Sequence, residues 1–530
     1  MKVQNLAARN DPQKKTVIAA LIATFFLYYA VLSNIPFWTA THWIKAGCDQ
    51  QFGVEYAGVG IFVLLWPCKR RLCGAMMVSL IGVDILCAVS STYYLSPSEC
   101  ILSIRYLSAL PDARVVFVLA TVCVALLTAS ASALLPVSRI PARYRRLTAV
   151  WLLSFFVLIK GWDLLATYRD TGVVKIPGAP VHADSISMSA LKRPLLFRSS
   201  LANLARLTVI SWRVARMRRS ALNDGQPIDS VLGQLRLSVN DMQDAGVQAP
   251  NLVLVVVESW GFENDASIRN AMTSPYRQAA LQARYQILEG TVSFNGATLA
   301  AEARELCGSD MGFHIMSAPA AELQGCLPDK LRALGYRTTA FHGMKSGMFE
   351  RRDWYERIGF KERWFEDELH RQGLPDCPGA FTGTCDSDVA AFIGTHLGAS
   401  GGPEFLYWMT LNSHLPVPSS PQVTFPTTCP AGATNQERVA FCAWYQLIYN
   451  VHASVGRVAA SASVRPTIFI VVGDHAPPFE NAEARSGFSQ TVVPYVVLVP
   501  RAMRLRSPSI RDNSKAALSH HIPFLTGLSK

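Results

Sequence analysis

Five apolar runs, at about 16–34, 52–67, 73–91, 114–136 and 147–167, fill the first third of the chain and restrict its folding more than any other feature. All but the short second run are long enough to cross ~30 Å of hydrocarbon as a helix. The connections between them alternate in charge. Lys14 and Lys15 precede the first run, Lys69, Arg70 and Arg71 join the second to the third, and Arg139, Arg143, Arg145 and Arg146 join the fourth to the fifth. The positive-inside rule then places the N-terminus in the cytoplasm and everything beyond about residue 168 outside, after an odd number of crossings. The first run lacks a small-residue cleavage site, so it is expected to remain as an anchor.

A chain of 530 residues is too long for one ordinary core, and 50% hydrophobic with 17% charged residues excludes intrinsic disorder. A formal charge of +12 would suit a nucleic-acid binder, but the basic residues fall in the predicted cytoplasmic loops and in a linker. With no P-loop, dinucleotide fingerprint or nucleic-acid module, no nucleic-acid partner is expected. Three units follow: a transmembrane domain over 1–167, a basic amphipathic linker over 168–247 and an outer domain over 248–530. Within the spans, Glu55, Lys160 and Asp163 read either as functional groups or as side chains near the outer interface that reach water, whereas Asp84 lies deeper. In the linker, residues 193–219 place Leu196, Phe197, Leu201, Leu204, Leu207, Ile210 and Trp212 among arginines. That pattern predicts an amphipathic helix or helix pair, lying in the headgroup layer or packed on the outer domain.

From about residue 250 apolar strand candidates alternate with helical stretches, as in an α/β domain. The run 251–257, NLVLVVV, reads as a strand buried on both faces of a mainly parallel sheet, and Glu258 follows at its carboxyl end, where such sheets place ligands. A second run, 467–472, ends in Gly473-Asp474-His475, one carboxylate and one imidazole suited to Zn²⁺ or Mn²⁺. Between them, Gly296 and Thr298 precede strong helix formers from Leu299 to Leu306. The Thr298 hydroxyl is then either an ordinary N-cap or a nucleophile whose phosphoryl target rests on the helix N-terminus.

The order of strand-end Glu258, Gly-x-Thr at 296–298, Asn-x-His at 412–414 and Gly-Asp-His at 473–475 resembles the alkaline phosphatase/sulfatase superfamily. Within it the match is to membrane-anchored lipoteichoic acid synthases and phosphoethanolamine transferases, whose five transmembrane helices precede an extracytoplasmic α/β catalytic domain. Residues 341–360, FHGMKSGMFERRDWYERIGF, resemble the former, and 424–442, with Cys429 and Cys442, resemble the cysteine-bearing insert of the latter. The resemblance implies one divalent ion, Mn²⁺ or Zn²⁺ with Mg²⁺ as a further choice, bound by Glu258, Thr298, Asp474 and His475, with Thr298 as nucleophile. It also implies that His342, Arg351 and His414 contact the phosphoryl group or headgroup, with Arg352 as a basic neighbour one position on. Two departures stand out: 480–490 holds no further His of the kind that binds near a second metal, and no C/S-x-P-x-R signature of a sulfate-ester hydrolase is present.

The implied chemistry moves phosphoethanolamine or phosphoglycerol from phosphatidylethanolamine or phosphatidylglycerol to an envelope glycan or glycolipid. A phospho-Thr298 intermediate separates the two half-reactions, and His414 protonates the departing alkoxide. Two rivals remain: a phosphodiesterase or phosphatase that uses water as acceptor, and a non-catalytic lipid sensor on the same scaffold. Of twelve cysteines, Cys307, Cys326, Cys377, Cys385, Cys429 and Cys442 fall in the outer domain. Local pairs 307–326, 377–385 and 429–442 are the economical solution among fifteen pairings. They point to an oxidising periplasm and a bacterial inner membrane, with Cys48 and Cys100 as a further outer-side pair.

Overall fold

The computed structural model describes residues 12–43, 52–171 except 68 and 110–111, 197–199, 201, 204, 205, 208, 230–234, and 249–503 except 310, 400, 418–434, 462–464 and 480–481. Every predicted apolar run is helical: Pro12–Ala30 continuing through a short 3₁₀ turn into Ile35–Trp43, then Val54–Leu65, Arg70–Thr92, Asp112–Leu134 and Ala142–Thr171. Three of these stretches, Lys15–Thr41, Arg71–Ser90 and Val116–Arg139, are long and apolar enough to cross a membrane. Val54–Leu65 has 12 residues, about 18 Å at 1.5 Å per residue, which is shorter than the hydrocarbon layer. Five crossings are therefore not established by length and composition. The lipid-facing character of this region is nevertheless plain, because every large apolar side chain that is exposed among the described residues lies at or before Leu201.

The ionisable residues of this region have specific partners. Asp84 is buried and accepts a hydrogen bond from Tyr56 Oη at 2.7 Å. Glu55 binds the linker instead of simply reaching water: its Oε1 accepts from Ser199 Oγ at 2.5 Å and from Leu201 N at 3.2 Å. The Lys160 and Asp163 side chains lie outside the described residues. The amphipathic-helix expectation for 193–219 fails at its start, where Phe197–Arg198 forms a short strand parallel to Phe52–Gly53. Most of the remaining stretch lies outside the described residues.

The outer domain is built on a seven-stranded sheet. Its strands in chain order are β1 (Asn251–Val257), β2 (Tyr285–Ser293), β3 (Arg337–His342), β4 (Glu362–Trp364), β5 (Glu404–Met409), β6 (Thr467–Gly473) and β7 (Val492–Pro500). The spatial order is β2-β7-β6-β1-β5-β3-β4. Strands β6, β1, β5, β3 and β4 are mutually parallel, and β7 runs antiparallel to both β6 and β2. All residues of β1, β5 and β6 are buried, which explains their unbroken apolar sequences: helices cover both faces. The register sets Gly473 opposite Val257 and Met409 opposite both Val256 and His342, so four adjacent parallel strands end together. The residues that follow those ends form one rim.

Disulfides join Cys307 to Cys326 and Cys377 to Cys385, as expected. Cys442 is also disulfide-bonded, while Cys429 lies outside the described residues. Cys100 is a free, buried thiol beside Ser90 Oγ at 3.3 Å, contrary to the pairing expected with Cys48, which is also outside the described residues.

Candidate active site

Glu258 continues the line of β1, and Asp474 and His475 continue that of the adjacent β6. Their metal-facing atoms lie within 4.8 Å of one another, and all three residues are buried. The chain turn after β1 makes this possible. Ser259 adopts a left-handed conformation, φ +57°, and its N–H donates to Asp474 Oδ1 at 2.7 Å while its hydroxyl donates to Glu258 Oε1 at 2.9 Å. Such a backbone strains a non-glycine residue and persists where its surroundings fix it. Here Trp444 Nε1 also donates to the Ser259 carbonyl at 3.1 Å.

Thr298 arrives from a different element, the helix Thr298–Cys307. The N-cap of that helix is Ala297, and no side chain caps it, so Thr298 is not the cap. Its hydroxyl instead lies 3.2 Å from Glu258 Oε2 and 3.1 Å from Asp474 Oδ2. Gly296, at φ +85°, supplies the turn that swings the helix start into the rim.

The donor set fits a divalent ion. His475 Nδ1 lies 2.9 Å from the Ala476 carbonyl, so this nitrogen carries the proton, and the lone pair of Nε2 faces Asp474 Oδ2 at 3.3 Å and Glu258 Oε1 at 3.6 Å. Burial and the neighbouring Glu258 charge push the Asp474 carboxyl up to about 7. Burial also acts to raise Glu258, but electrostatic interaction with the His414 and His475 rings, with hydrogen bonds from Ser259 and Thr298, holds it below its usual value. Two carboxylates and an imidazole lone pair converging in a buried pocket repel one another, and a cation relieves that repulsion.

His342, at the end of β3, is buried; its Nδ1 donates to the Met409 carbonyl at 3.0 Å, and its Nε2 has no partner among the described residues. Burial and the Arg351 charge hold its pKa well below the ordinary value, so it is neutral. His414 is half-buried, with Nδ1 2.7 Å from the Leu415 carbonyl and the edge of Phe381 against its ring. Arg351 sits in the interior, its Nε and Nη2 held by Glu302 at 3.1 and 3.0 Å. No contact joins it to Glu258, Asp474 or His475 among the described residues. Arg352 is separate, ion-paired to Glu368 nearer the surface.

Several residues that shape the site carry no linear signal. Arg304 donates to the Gly473 carbonyl at 2.9 Å, fixing the strand end that carries Asp474. Asp386 accepts the N–H groups of Leu411 and Asn412, at 3.0 and 2.8 Å, and thereby shapes the turn that presents His414. Tyr94, from the connection after the helix Arg70–Thr92, lies 5.6 Å from the His475 ring and donates to Gln490 Oε1 at 3.0 Å. Only the three-dimensional contact reveals that the membrane half reaches this rim.

A sulfatase family model matches residues 250–529. No curated protein matches the chain in sequence. Among solved structures, an alkaline phosphatase superfamily protein from Vibrio parahaemolyticus is 15% identical with TM-score 0.32; the match covers 48% of this chain and 62% of that one, so this chain spans less than two thirds of its length. A lipoteichoic acid synthase from Listeria monocytogenes is 14% identical with TM-score 0.35, covering 51% and 72%. The integral membrane lipooligosaccharide phosphoethanolamine transferase A of Neisseria meningitidis is 15% identical with TM-score 0.44, covering 91% of this chain and 89% of that one.

Proposed function

The chain belongs to the sulfatase family, and from that premise we propose that it transfers phosphoethanolamine or phosphoglycerol from a membrane phospholipid to an envelope glycan or glycolipid. One observation carries the reading: the Thr298 hydroxyl binds neither its own helix nor water-facing groups but the two buried carboxylates, Glu258 and Asp474. A divalent ion, Mn²⁺ or Zn²⁺, held by Glu258, Thr298, Asp474 and His475 would lower the hydroxyl's pKa and screen the approach to a phosphodiester anion.

In the first half-reaction Thr298 Oγ1, its proton lost to solvent, forms a bond to phosphorus, the bond to the diacylglycerol oxygen breaks, and His414 gives that oxygen a proton. In the second, the acceptor hydroxyl returns a proton to His414 and attacks phosphorus, and the bond to Thr298 Oγ1 breaks, that oxygen regaining its proton from solvent. Neutral His342, protonated on Nδ1, turns its Nε2 lone pair toward a donor group of the headgroup or the acceptor, and Arg351 supplies positive charge behind it. Sulfate-ester hydrolysis is disfavoured by the threonine at this position. The nearest cysteine look-alike, Cys326, is locked to Cys307. The setting proposed is a bacterial inner membrane crossed five times, with the catalytic domain in the periplasm at the level of the donor lipid's headgroup.

The test is a single turnover by the purified full-length protein with donor phospholipid and no acceptor. The wild type should release one burst of diacylglycerol and gain a headgroup-phosphate mass on the peptide containing Thr298. Thr298→Ala should abolish both, and Thr298→Ser should keep part of the activity. An alanine variant that turns over donor within about tenfold of wild type, roughly 1.4 kcal/mol of barrier, would show that Thr298 forms no covalent intermediate.

A further inference from the structure

A second group of ligating side chains stands apart from the rim. The short helix Glu366–Arg371 carries Glu366 and His370 four residues apart, hence on one face. Asp376 comes from the strand Asp376–Cys377, paired antiparallel with Gly383–Thr384 and closed by the Cys377–Cys385 disulfide. One ligand atom from each of Glu366, His370 and Asp376 lies within 4.8 Å of the others. His370 Nε2 is 2.6 Å from Asp376 Oδ1, and both side chains are partly open to solvent.

Glu366 is different: the residue is 5% exposed, and its Oε2 is buried with no hydrogen-bond partner among the described residues. Burying a carboxylate oxygen unpaired is costly, so such an atom points to an absent partner. The nearby cation, Lys345, bears on Glu366 electrostatically but forms no ion pair with it among the described residues. The other charged groups facing Glu366 are Asp376, His370 and Asp367.

We infer that Glu366, His370 and Asp376 form a second divalent-metal site, of Zn²⁺ type, distinct from the rim. One imidazole and two carboxylates make three protein ligands, and the solvent-facing side leaves the fourth position to water. Metal entry needs the Nε2 lone pair of His370, so it replaces the hydrogen bond between His370 and Asp376. The ion ties the disulfide-closed hairpin to the helix. The same hairpin and helix support the rim, because Thr384 N–H donates to the Gly343 carbonyl at 2.7 Å, next to His342, and Glu366 N–H donates to the Met344 carbonyl at 3.3 Å. The role is structural and holds the β3 side of the site in place.

The experiment counts bound zinc in the full-length, tag-free protein, stripped with chelator, reloaded with Zn²⁺ alone and desalted. Wild type should hold two ions per chain. Asp474→Asn should retain one, and adding His370→Ala to it should remove that one. Glu366→Gln and Asp376→Asn, which preserve shape if the alanine variant fails to fold, should each lose one equivalent from wild type. An Asp474→Asn protein with no zinc, or Glu366→Gln and Asp376→Asn proteins that keep two equivalents, would overturn the inference. Because zinc at Glu366 is counted without turnover, failure of the transferase reading leaves this result separately readable.

Discussion

Two consecutive arginines show how strongly position outweighs residue type. Arg351 and Glu302 are both buried, with 3% and 0% of their side chains exposed, and Glu302 also accepts hydrogen bonds from Tyr355 and Tyr407. Arg352 pairs with Glu368 with 41% of its own side chain exposed. Removing one partner of a buried pair leaves the other charge uncompensated, at a cost of about 3–5 kcal/mol. A half-exposed pair is worth about 1 kcal/mol or less. Thermal melts of the full-length protein should therefore show a large loss for Arg351→Ala and a small one for Arg352→Ala. Equal losses would remove the distinction between an interior and a surface arginine. The buried Arg351 also bears its charge on His342, which ties the interior network to the rim.

At the scale of elements, one helix and one strand end carry most of the site. The helix Thr298–Cys307 is buried along its first nine residues and presents Thr298 to the carboxylates, Glu302 to Arg351 and Arg304 to the end of β6. Its last residue is tied to Cys326. Strand β6 ends at Gly473, where a Cβ would stand 1.9 Å from the Trp260 carbonyl oxygen, a backbone atom that cannot turn aside. Gly473→Ala must push β6 from the turn after β1 and separate Asp474 from Glu258. Overpacking of this kind costs roughly 1–3 kcal/mol. We expect a lower melting temperature, loss of the rim metal and loss of transfer. Gly347→Ala, where a Cβ meets nothing within 4 Å, is the control and should match wild type. A Gly473→Ala protein with unchanged metal content would show that the β1–β6 contact does not set the ligand geometry.

The whole molecule joins a helical membrane region to the α/β domain through contacts on the outer domain as well as through the chain itself. Tyr94 meets the rim, Arg105 pairs with Glu350 at 2.7 Å, and Tyr106 packs edge-on to Phe349. Those contacts require the connection around 93–109 and the α/β domain to share one side of the membrane. Reporter fusions after residue 72 or 146 should therefore read as cytoplasmic, and a fusion after 220 as periplasmic. A cytoplasmic signal at 220 would contradict both the orientation and the disulfides.

The sequence by itself marked the apolar helices, the core strands at 251–257 and 467–472 and, with the family resemblance, Glu258, Thr298, Asp474 and His475 as candidates. Each of these rests on a local pattern: uninterrupted apolar runs, a strand followed by a polar residue, a glycine before a helix start. It could not decide which arginine at 351 and 352 is interior, because helix phase depends on packing. Nor could it show that Thr298 is not the helix cap, since its hydroxyl's partners are forty and 176 positions away. The bonds of Glu55 to the linker, of Arg304 to Gly473 and of Asp386 to the His414 turn, like the ring contact of Tyr94 with His475, join residues remote in sequence. The tertiary structure alone decided them, because hydrogen bonds and close packing act over a few ångströms of space and are indifferent to distance along the chain.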